Sequence, residues 1–509
     1  MATEIQPLPD QAPSRLQEDA MSFTRTVGLT GFVMTVVGVA VLVFALRGVF
    51  SLDPHIGLMA TVLGTVMMLF HASRDTDPTV TTLYGYGGGM GLPIVGLGLA
   101  IAFSMIKAKP DDIAAATRIE SVRYLYSWFA ILLGLLFLVI YCRNEQDADS
   151  RKNGLMMLGG SGMILFLVAV FGSHFRPAYS LGFGLPLGLL GVGYLAAFLV
   201  QSGEDTKLGY RGAWFVTLLG LATMSSAMLR AIIPHTLPFF VPAGMLVLGI
   251  GLLAALVGLF MASDLQVVVL ARRELLTYFY SPIAYAVLLL MAVIGWLAFY
   301  LFAQQLFQEV PEPIVMYYLG DYFGVVPVLF IIPAITMRLI SEEKRTGTFD
   351  MMMSAPVKEW NVVLSKLFAS FIFFMLTMSI YAIYLVALVA ETGTAFEFRT
   401  LLSFYLAVAV TGLAFLSLGL FLSSLTNNQM VAAVLTFGAM LFLFAIFFLE
   451  RLVPPTSPFK NVFLHTSYVH FWWSSLRGHL HVRDLLIQLT LAGFWTFLSV
   501  RVLEARRWW

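Results

Sequence analysis

The stretch "SEEKRTGTFDMMMSAPVKEW", residues 341–360, is the most charged segment of an otherwise strongly apolar chain. It lies between apolar runs near 322–340 and 363–390. A helix needs roughly 20 mostly apolar residues to cross a membrane, and both runs are close to that length. The composition agrees: of 509 residues, 59% are hydrophobic and 12% charged. The mean hydropathy is +0.86. Soluble domains carry about a quarter charged residues, so this chain has too little polar surface for a water-soluble particle. The runs are continuously apolar and lack the two-residue alternation of barrel strands. The expected fold is therefore all-α, a polytopic helical membrane protein.

Working outward, apolar runs fall near 28–46, 55–71, 84–106, 124–142, 154–172, 181–201, 213–232 and 236–262. After residue 263 they fall near 283–306, 322–340, 363–390, 400–424, 429–449 and 483–502. This makes about 14 transmembrane helices, about eight followed by about six. Residues 1–27 are polar and proline-bearing, and read as a disordered cytoplasmic tail without the basic start and apolar core of a secretory signal. Residues 28–262 form an N-terminal membrane domain whose sequence indicates no function.

Basic residues favour the cytoplasmic side. They cluster at Arg143, Arg151, Lys152, Lys207, Arg211, Arg272, Arg273, Lys344, Arg345, Arg506 and Arg507. The 303–321 loop has acids and no Lys or Arg, which suits the outside; 107–123, with Lys107, Lys109, Arg118 and Arg123, does not fit this alternation. Net charge is +1, so bulk charge suggests neither a nucleic-acid nor an acidic partner. The single cysteine, Cys142, excludes an intrachain disulfide and a multi-thiolate metal site. "GLPIVGLGLAIAF" (91–103) and "GLPLGLLGVGYLAAF" (184–198) are alike. Either they are halves of an inverted repeat or both are glycine-rich packing helices, Gly184 and Gly188 serving close approach.

Two segments carry more specific information. "VVVLARRELLTYFYSPIAYAV" (267–287) sets Arg272 and Arg273 beside apolar residues, then Tyr278, Phe279 and Tyr280, with Ser281-Pro282 breaking the helix. This is the composition of an interfacial helix over 263–281, with aromatics at headgroup depth and cations toward phosphates, in contact with membrane lipid. In 341–360, Ser341 is expected to cap a short helix, with Glu342 and Glu343 in its first turn. Gly347 offers a turn, and Pro356 ends a second short amphipathic piece. A bare connector needs only a few residues. Charges of both signs with Met351, Met352 and Met353 read instead as a docking surface.

Three stretches together resemble the type-2 ABC exporter permease family, in the branch associated with gliding motility and copper-enzyme maturation. They are "RRELLTYFYSPIAY" (272–285), "MRLISEEKRTGTFDMMMSAPVKEWNVVLSKL" (337–367), and "YVHFWWSSLRGHLHVRDLL" (468–486) with "FLSVRVLEARRWW" (497–509). The resemblance covers residues 263–509 and implies a six-helix permease domain whose 341–360 loop is cytoplasmic and docks into a separate ATPase. Glu342, Glu343, Gly347, Thr348 and Pro356 match the family's coupling segment. Asp350 stands where glutamate is usual, and Ser365-Lys366 where Gly-Lys is usual. Arg272, Arg273, Glu274, Tyr278, Phe279, Ser281 and Pro282 fall in its interfacial helix. His470, Phe471, Arg477, Gly478 and Asp484 match its external segment. The resemblance further implies two ABC ATPase subunits carrying ATP and Mg, a second permease chain (a homodimer or a related chain), and the bacterial inner membrane with both termini cytoplasmic.

No G-x-x-x-x-G-K-[ST] phosphate loop occurs, so the chain is not expected to be an enzyme or to bind a cofactor. "GYGGGMG" (85–91) lacks the lysine and reads as a packing or hinge feature. His465, His470, His479 and His481 offer a metal reading, but aromatic interfacial helices explain the segment as well, and no metal is assigned. Two alternatives stand beside the permease: an ATPase-coupled scaffold for surface assembly or motility, and an ion-coupled carrier. The carrier needs intramembrane ionisable groups, which are scarce here.

Overall fold

A computed structural model describes residues 15–46, 54–75, 77–105, 113–145, 147–175, 184–203, 206–232, 244–305, 314–320, 322–348, 357–392, 398–454 and 457–506. The chain divides into two compact units, Met1–Ala262 and Ser263–Trp509. Among the described residues every regular element is a helix, and the chain is an integral membrane protein. Among the described residues, twelve helical spans are long and apolar enough to cross a membrane. The other two expected spans, 55–71 and 84–106, are also helical, but each includes side chains outside the described set. The expected count of about 14 is thus not reached among the described residues.

The first unit contains α1 (Arg15–Leu46), α2 (Pro54–Arg74), α3 (Pro78–Leu83), a π-helix (Tyr84–Gly91), α4 (Leu92–Met105), α5 (Ile113–Asn144), α6 (Ala148–Phe175), α7 (Leu185–Ser202), α8 (Lys207–Ile232) and α9 (Met245–Ala262). Helix α1 starts at Arg15, so the second half of the expected disordered tail is helical. The reason is local: from Arg15 to the first apolar run there is neither proline nor any glycine before Gly28. The glycines at 85–91 let π-helical backbone approach aromatic rings of α5. A Cβ at Gly85 would lie 2.4 Å from the Tyr141 ring, and one at Gly88 2.8 Å from Phe137.

In lipid, helices associate through close packing because the surrounding tails are as apolar as leucine. The α8–α9 pair shows how far this goes. A Cβ at Gly220 would stand 2.4 Å from the Ala255 nitrogen and 2.5 Å from the Gly251 oxygen. Backbone cannot move aside as a side chain can, so Gly220→Val forces the helices apart. The expected cost is about 1–3 kcal/mol, as for other overpacked interiors, read as a lower thermal midpoint in detergent. Gly249→Val is the control, since nothing lies within 4 Å of its Cβ position. Equal midpoints for the two variants would show that the helices do not pack through Gly220. Gly184 and Gly188 are also packing positions, facing Ser173 of α6 and Ile250 of α9.

The second unit contains α10 (Gln266–Tyr280), α11 (Pro282–Gln305), α12 (Ile314–Leu319), α13 (Tyr322–Thr336), α14 (Ser341–Thr346), α15 (Glu359–Thr392), α16 (Phe398–Leu425), α17 (Gln429–Leu452), α18 (Pro458–Thr466), α19 (Tyr468–Leu476) and α20 (Val482–Arg506). Its centre is the span Gly324–Thr346, which takes in α13, the turn after it and α14, together with α16; their windows are 72% and 67% buried, against 44% or less for the other spans of this unit. Two segments expected outside the membrane contribute to this core. From the 303–321 loop, Val315, Tyr318 and Leu319 of α12 are buried; from α19, so are Tyr468, Phe471 and Trp472. Trp472 donates its indole N–H to Thr411 Oγ1 at 2.9 Å.

Candidate functional site

The site is assembled where α10, α14 and α15 meet. Helix α15 carries a lysine two turns from its start. The Lys366 side chain is only 2% exposed. An ammonium in such surroundings must find opposite charge and acceptors, or it is too costly to keep. It finds two. Lys366 Nζ donates to Glu343 Oε1 of α14 at 2.6 Å and to Glu274 Oε1 of α10 at 3.1 Å. Arg273 approaches the same Glu274 oxygen at 3.6 Å. One buried lysine thus joins three helices.

Helix α10 is bound to α15 along its length. Asn361 Nδ2 donates to Gln266 Oε1 at 2.7 Å near the start. The Lys366–Glu274 pair follows, and then Tyr278 stacks on Phe373 at 5.0 Å, with the Phe279 ring edge-on to it at 6.1 Å. The order of these ties makes the two helices parallel, in register over about 18 Å at 1.5 Å per residue. Tyr278 also donates to the Ile335 carbonyl at 3.2 Å. Burial pushes its phenol well above the usual tyrosine range, so the hydroxyl stays protonated as that donor. Tyr278 and Phe279 therefore face protein, whereas headgroup contact was expected; Tyr280 is the exposed aromatic. Arg272 is also turned inward and donates to the Ser263 carbonyl at 2.8 Å. The reason is that the apolar face of α10 has a full partner in α15. Ser281 is extended after α10, and Pro282 opens α11.

Helix α14 is separated from α13 by a turn over residues 337–340. Breaking a helix leaves backbone N–H groups without intrahelical acceptors. Here Ser423 of α16 supplies one: its Oγ accepts from the Ile340 and Ser341 nitrogens, both at 3.2 Å. Ser341 is thus not the cap that the sequence suggested. It is buried inside the first turn, and its hydroxyl donates to the Met337 carbonyl. Arg338 in the turn holds Glu342, Nε to Oε2 at 2.7 Å, and donates to Ser281 Oγ. Lys344 donates to the Ser424 carbonyl. Gly347 closes the helix at φ 74°, a left-handed position where glycine is unstrained. Asp350, Pro356 and Met351 to Met353 lie outside the described residues.

An open cleft of about 770 Å³ lies over this arrangement, with Glu274, Arg338, Glu342, Glu343 and Lys366 among its lining. Its charges are paired with one another: Glu343 and Lys366 tie α14 to α15, and Glu274 ties α10 to the same lysine. Glu343 braces α14 against α15, and Glu342 is held by Arg338 of the preceding turn. Lys366 stood in the sequence only as part of a motif. A charged residue inside an apolar helix start was the available signal for it. Arg338 carried no comparable signal, because arginine at a span end is ordinary.

The external-segment residues sit apart from this cleft. Phe471 is buried, His470 half-buried, Arg477 exposed, and Gly478 adopts φ 78°. Asp484, buried in the first turn of α20, meets His465 Nδ1 at 3.0 Å, a carboxylate partner that the histidine-rich reading lacked. Among the described residues no group of three His, Cys, Asp or Glu side chains is gathered as a metal would need.

Residues 301–471 match the family model of the ABC-2 family transporter protein. The matched segment takes in α12 to α18, α14 and Lys366 included. Over those residues, about a third of its length, the chain is similar to that transporter family. No curated protein and no solved structure matches the chain.

Proposed function

We propose that this chain is the membrane permease of an ATP-driven ABC exporter, driven by separate ATPase subunits that dock at α14. The observation that carries the reading is the Lys366 strut: Lys366 and Glu343 lie inside the matched segment, and the lysine ties α14 and α15 to α10, which precedes that segment. ATP hydrolysis belongs to the partner, since the chain has no phosphate loop of its own. Closing of two ATPase subunits would displace α14, and α10 and α15 would follow as one body. That is a shear transition, in which nucleotide favours one of two packed arrangements. On this reading α14 faces the cytoplasm of a bacterial inner membrane, and a second permease chain completes the complex. The branch associated with gliding motility and copper-enzyme maturation remains part of the proposal, as do export direction and ATPase stoichiometry.

The test is purification of the tagged chain from its native host. The expected result is a co-purifying protein with an ATP-binding phosphate loop, identified by mass spectrometry, and ATP-dependent change in protease sensitivity of the chain. Recovery of no such ATPase, with nucleotide leaving the chain unchanged, would overturn the reading.

A further inference from the structure

We infer that His465, at the end of α18, is a proton-operated switch that chooses between Arg483 and Asp484 as its partner. The switch is separate from α14 and involves residues of this chain alone. One ring atom reaches both groups: His465 Nδ1 lies 3.0 Å from Asp484 Oδ1 and 2.9 Å from Arg483 Nη2. A ring nitrogen either carries a proton and donates, or is bare and accepts. A guanidinium only donates and a carboxylate only accepts, so Nδ1 serves one of the two at a time. With Nδ1 bare, His465 accepts from Arg483, whose Nε stays 3.7 Å from Asp484 Oδ1. With the ring protonated, Nδ1 donates to Asp484 in a charge-assisted bond, while imidazolium and guanidinium repel each other. The proton comes from water, and Arg483 stays charged and Asp484 ionised in both states.

The surroundings allow the exchange. The Arg483 side chain is 60% exposed and can swing away, whereas Asp484, at 10%, is fixed in the first turn of α20. Helix α18 packs on α17, α19 and α20. The other ionisable groups close to it on these elements are Lys460 of α18 itself, Glu450 and Arg451 at the end of α17, and Tyr468 and His470 of α19. Among the described residues none of these is bonded to His465, and Arg451 lies over the Phe447 ring at 4.5 Å. Ser467 connects the switch to the core. Its N–H donates to the Phe463 carbonyl at 3.0 Å, which ends α18, and its hydroxyl oxygen accepts from the His470 nitrogen at 3.4 Å, which opens α19. Protonation therefore moves the tie at the end of α18 from a solvent-facing guanidinium to a buried carboxylate, beside the helix that buries Trp472. Histidine is the side chain whose ordinary charge change falls between about pH 5 and 8, the range over which such an exchange operates.

The experiment follows the nitrogen-15 signals of the full chain in detergent, labelled at histidine, from about pH 8 to about pH 5. The His465 signal is identified by its absence in His465→Gln. In wild type, Nδ1 should pass from the bare to the protonated type on acidification. Arg483→Gln removes the cation that competes for the lone pair, so the midpoint should move to higher pH. Asp484→Asn removes the anion that holds the proton, so it should move to lower pH, each by roughly half a unit or more. Arg483→Lys keeps a cation and should titrate close to wild type. Opposite movements are the expected result, since a histidine paired with the acid alone would respond only to Asp484→Asn. Equal midpoints in wild type and Arg483→Gln, or an Nδ1 that keeps one form throughout, would overturn the switch. Should the thermal midpoint show that Asp484→Asn does not fold, the Arg483→Gln shift decides alone, because that side chain is exposed. Capture of no ATPase would remove the permease reading and leave this result untouched.

Discussion

Lys366→Met is expected to be the most damaging single substitution in the second unit, costing roughly 3–5 kcal/mol, the range for breaking one partner out of a buried ion pair. Methionine fills much of the lysine's volume, so packing is largely kept. What changes is that Glu274 and Glu343, at 13% and 20% exposure, face each other across a site without their cation. The measurement is the thermal midpoint of the detergent-solubilised chain, compared with the triple variant Lys366→Met, Glu274→Gln, Glu343→Gln. Removing all three charges should restore most of the loss, because an apolar or neutral replacement of a buried network is often tolerated. Coupling should not return with stability, since the tie between α14 and α15 is gone. A Lys366→Met chain that melts with the wild type would sink the strut.

Trp472→Ala is expected to rank second, at about 3–5 kcal/mol for truncating a fully buried indole. The ring is edge-on to Phe404 at 5.7 Å and to Tyr468 at 5.5 Å, so its loss opens a cavity lined by aromatics of α16 and α19. Trp472→Phe separates packing from hydrogen bonding. It keeps a ring and removes the N–H that Thr411 accepts, for about 1 kcal/mol. Trp473→Phe serves as the control, because the Trp473 indole nitrogen has no such partner among the described residues. Thermal midpoints in the order wild type, Trp472→Phe, Trp472→Ala are the expected outcome. An alanine variant as stable as wild type would place the α19 segment outside the core.

What could be read in the sequence was local. Apolar length marked the helices, and Ser281-Pro282 marked the boundary between α10 and α11. The α14 segment was visible as a charged interruption ending at Gly347. Non-local partners were invisible. Ser341 looked like a cap because capping is usually done by the residue at the helix start, yet Ser423 performs it from 82 residues away. Glu342 and Glu343 showed in the sequence only as first-turn acids of a docking surface, without their partners. One is held by Arg338 within its own turn, the other by Lys366 at a separation of 23 residues. The Tyr278–Phe279 pair looked like a headgroup anchor because composition says which residues are aromatic and not which face they share.

The glycine seams of the first unit bear on how the protein is made. Gly162 of α6 lies against Gly191 of α7, and Gly258 of α9 against Thr217 and Ala213 of α8, each at backbone distance. In both cases the helix and its partner are consecutive in the chain. Each pair can close as soon as its second helix leaves the ribosome, with loop closure over a short connector. Contacts of such low sequence separation form quickly. These two seams therefore need only neighbouring helices, and no part of the chain that buries Lys366, in order to close.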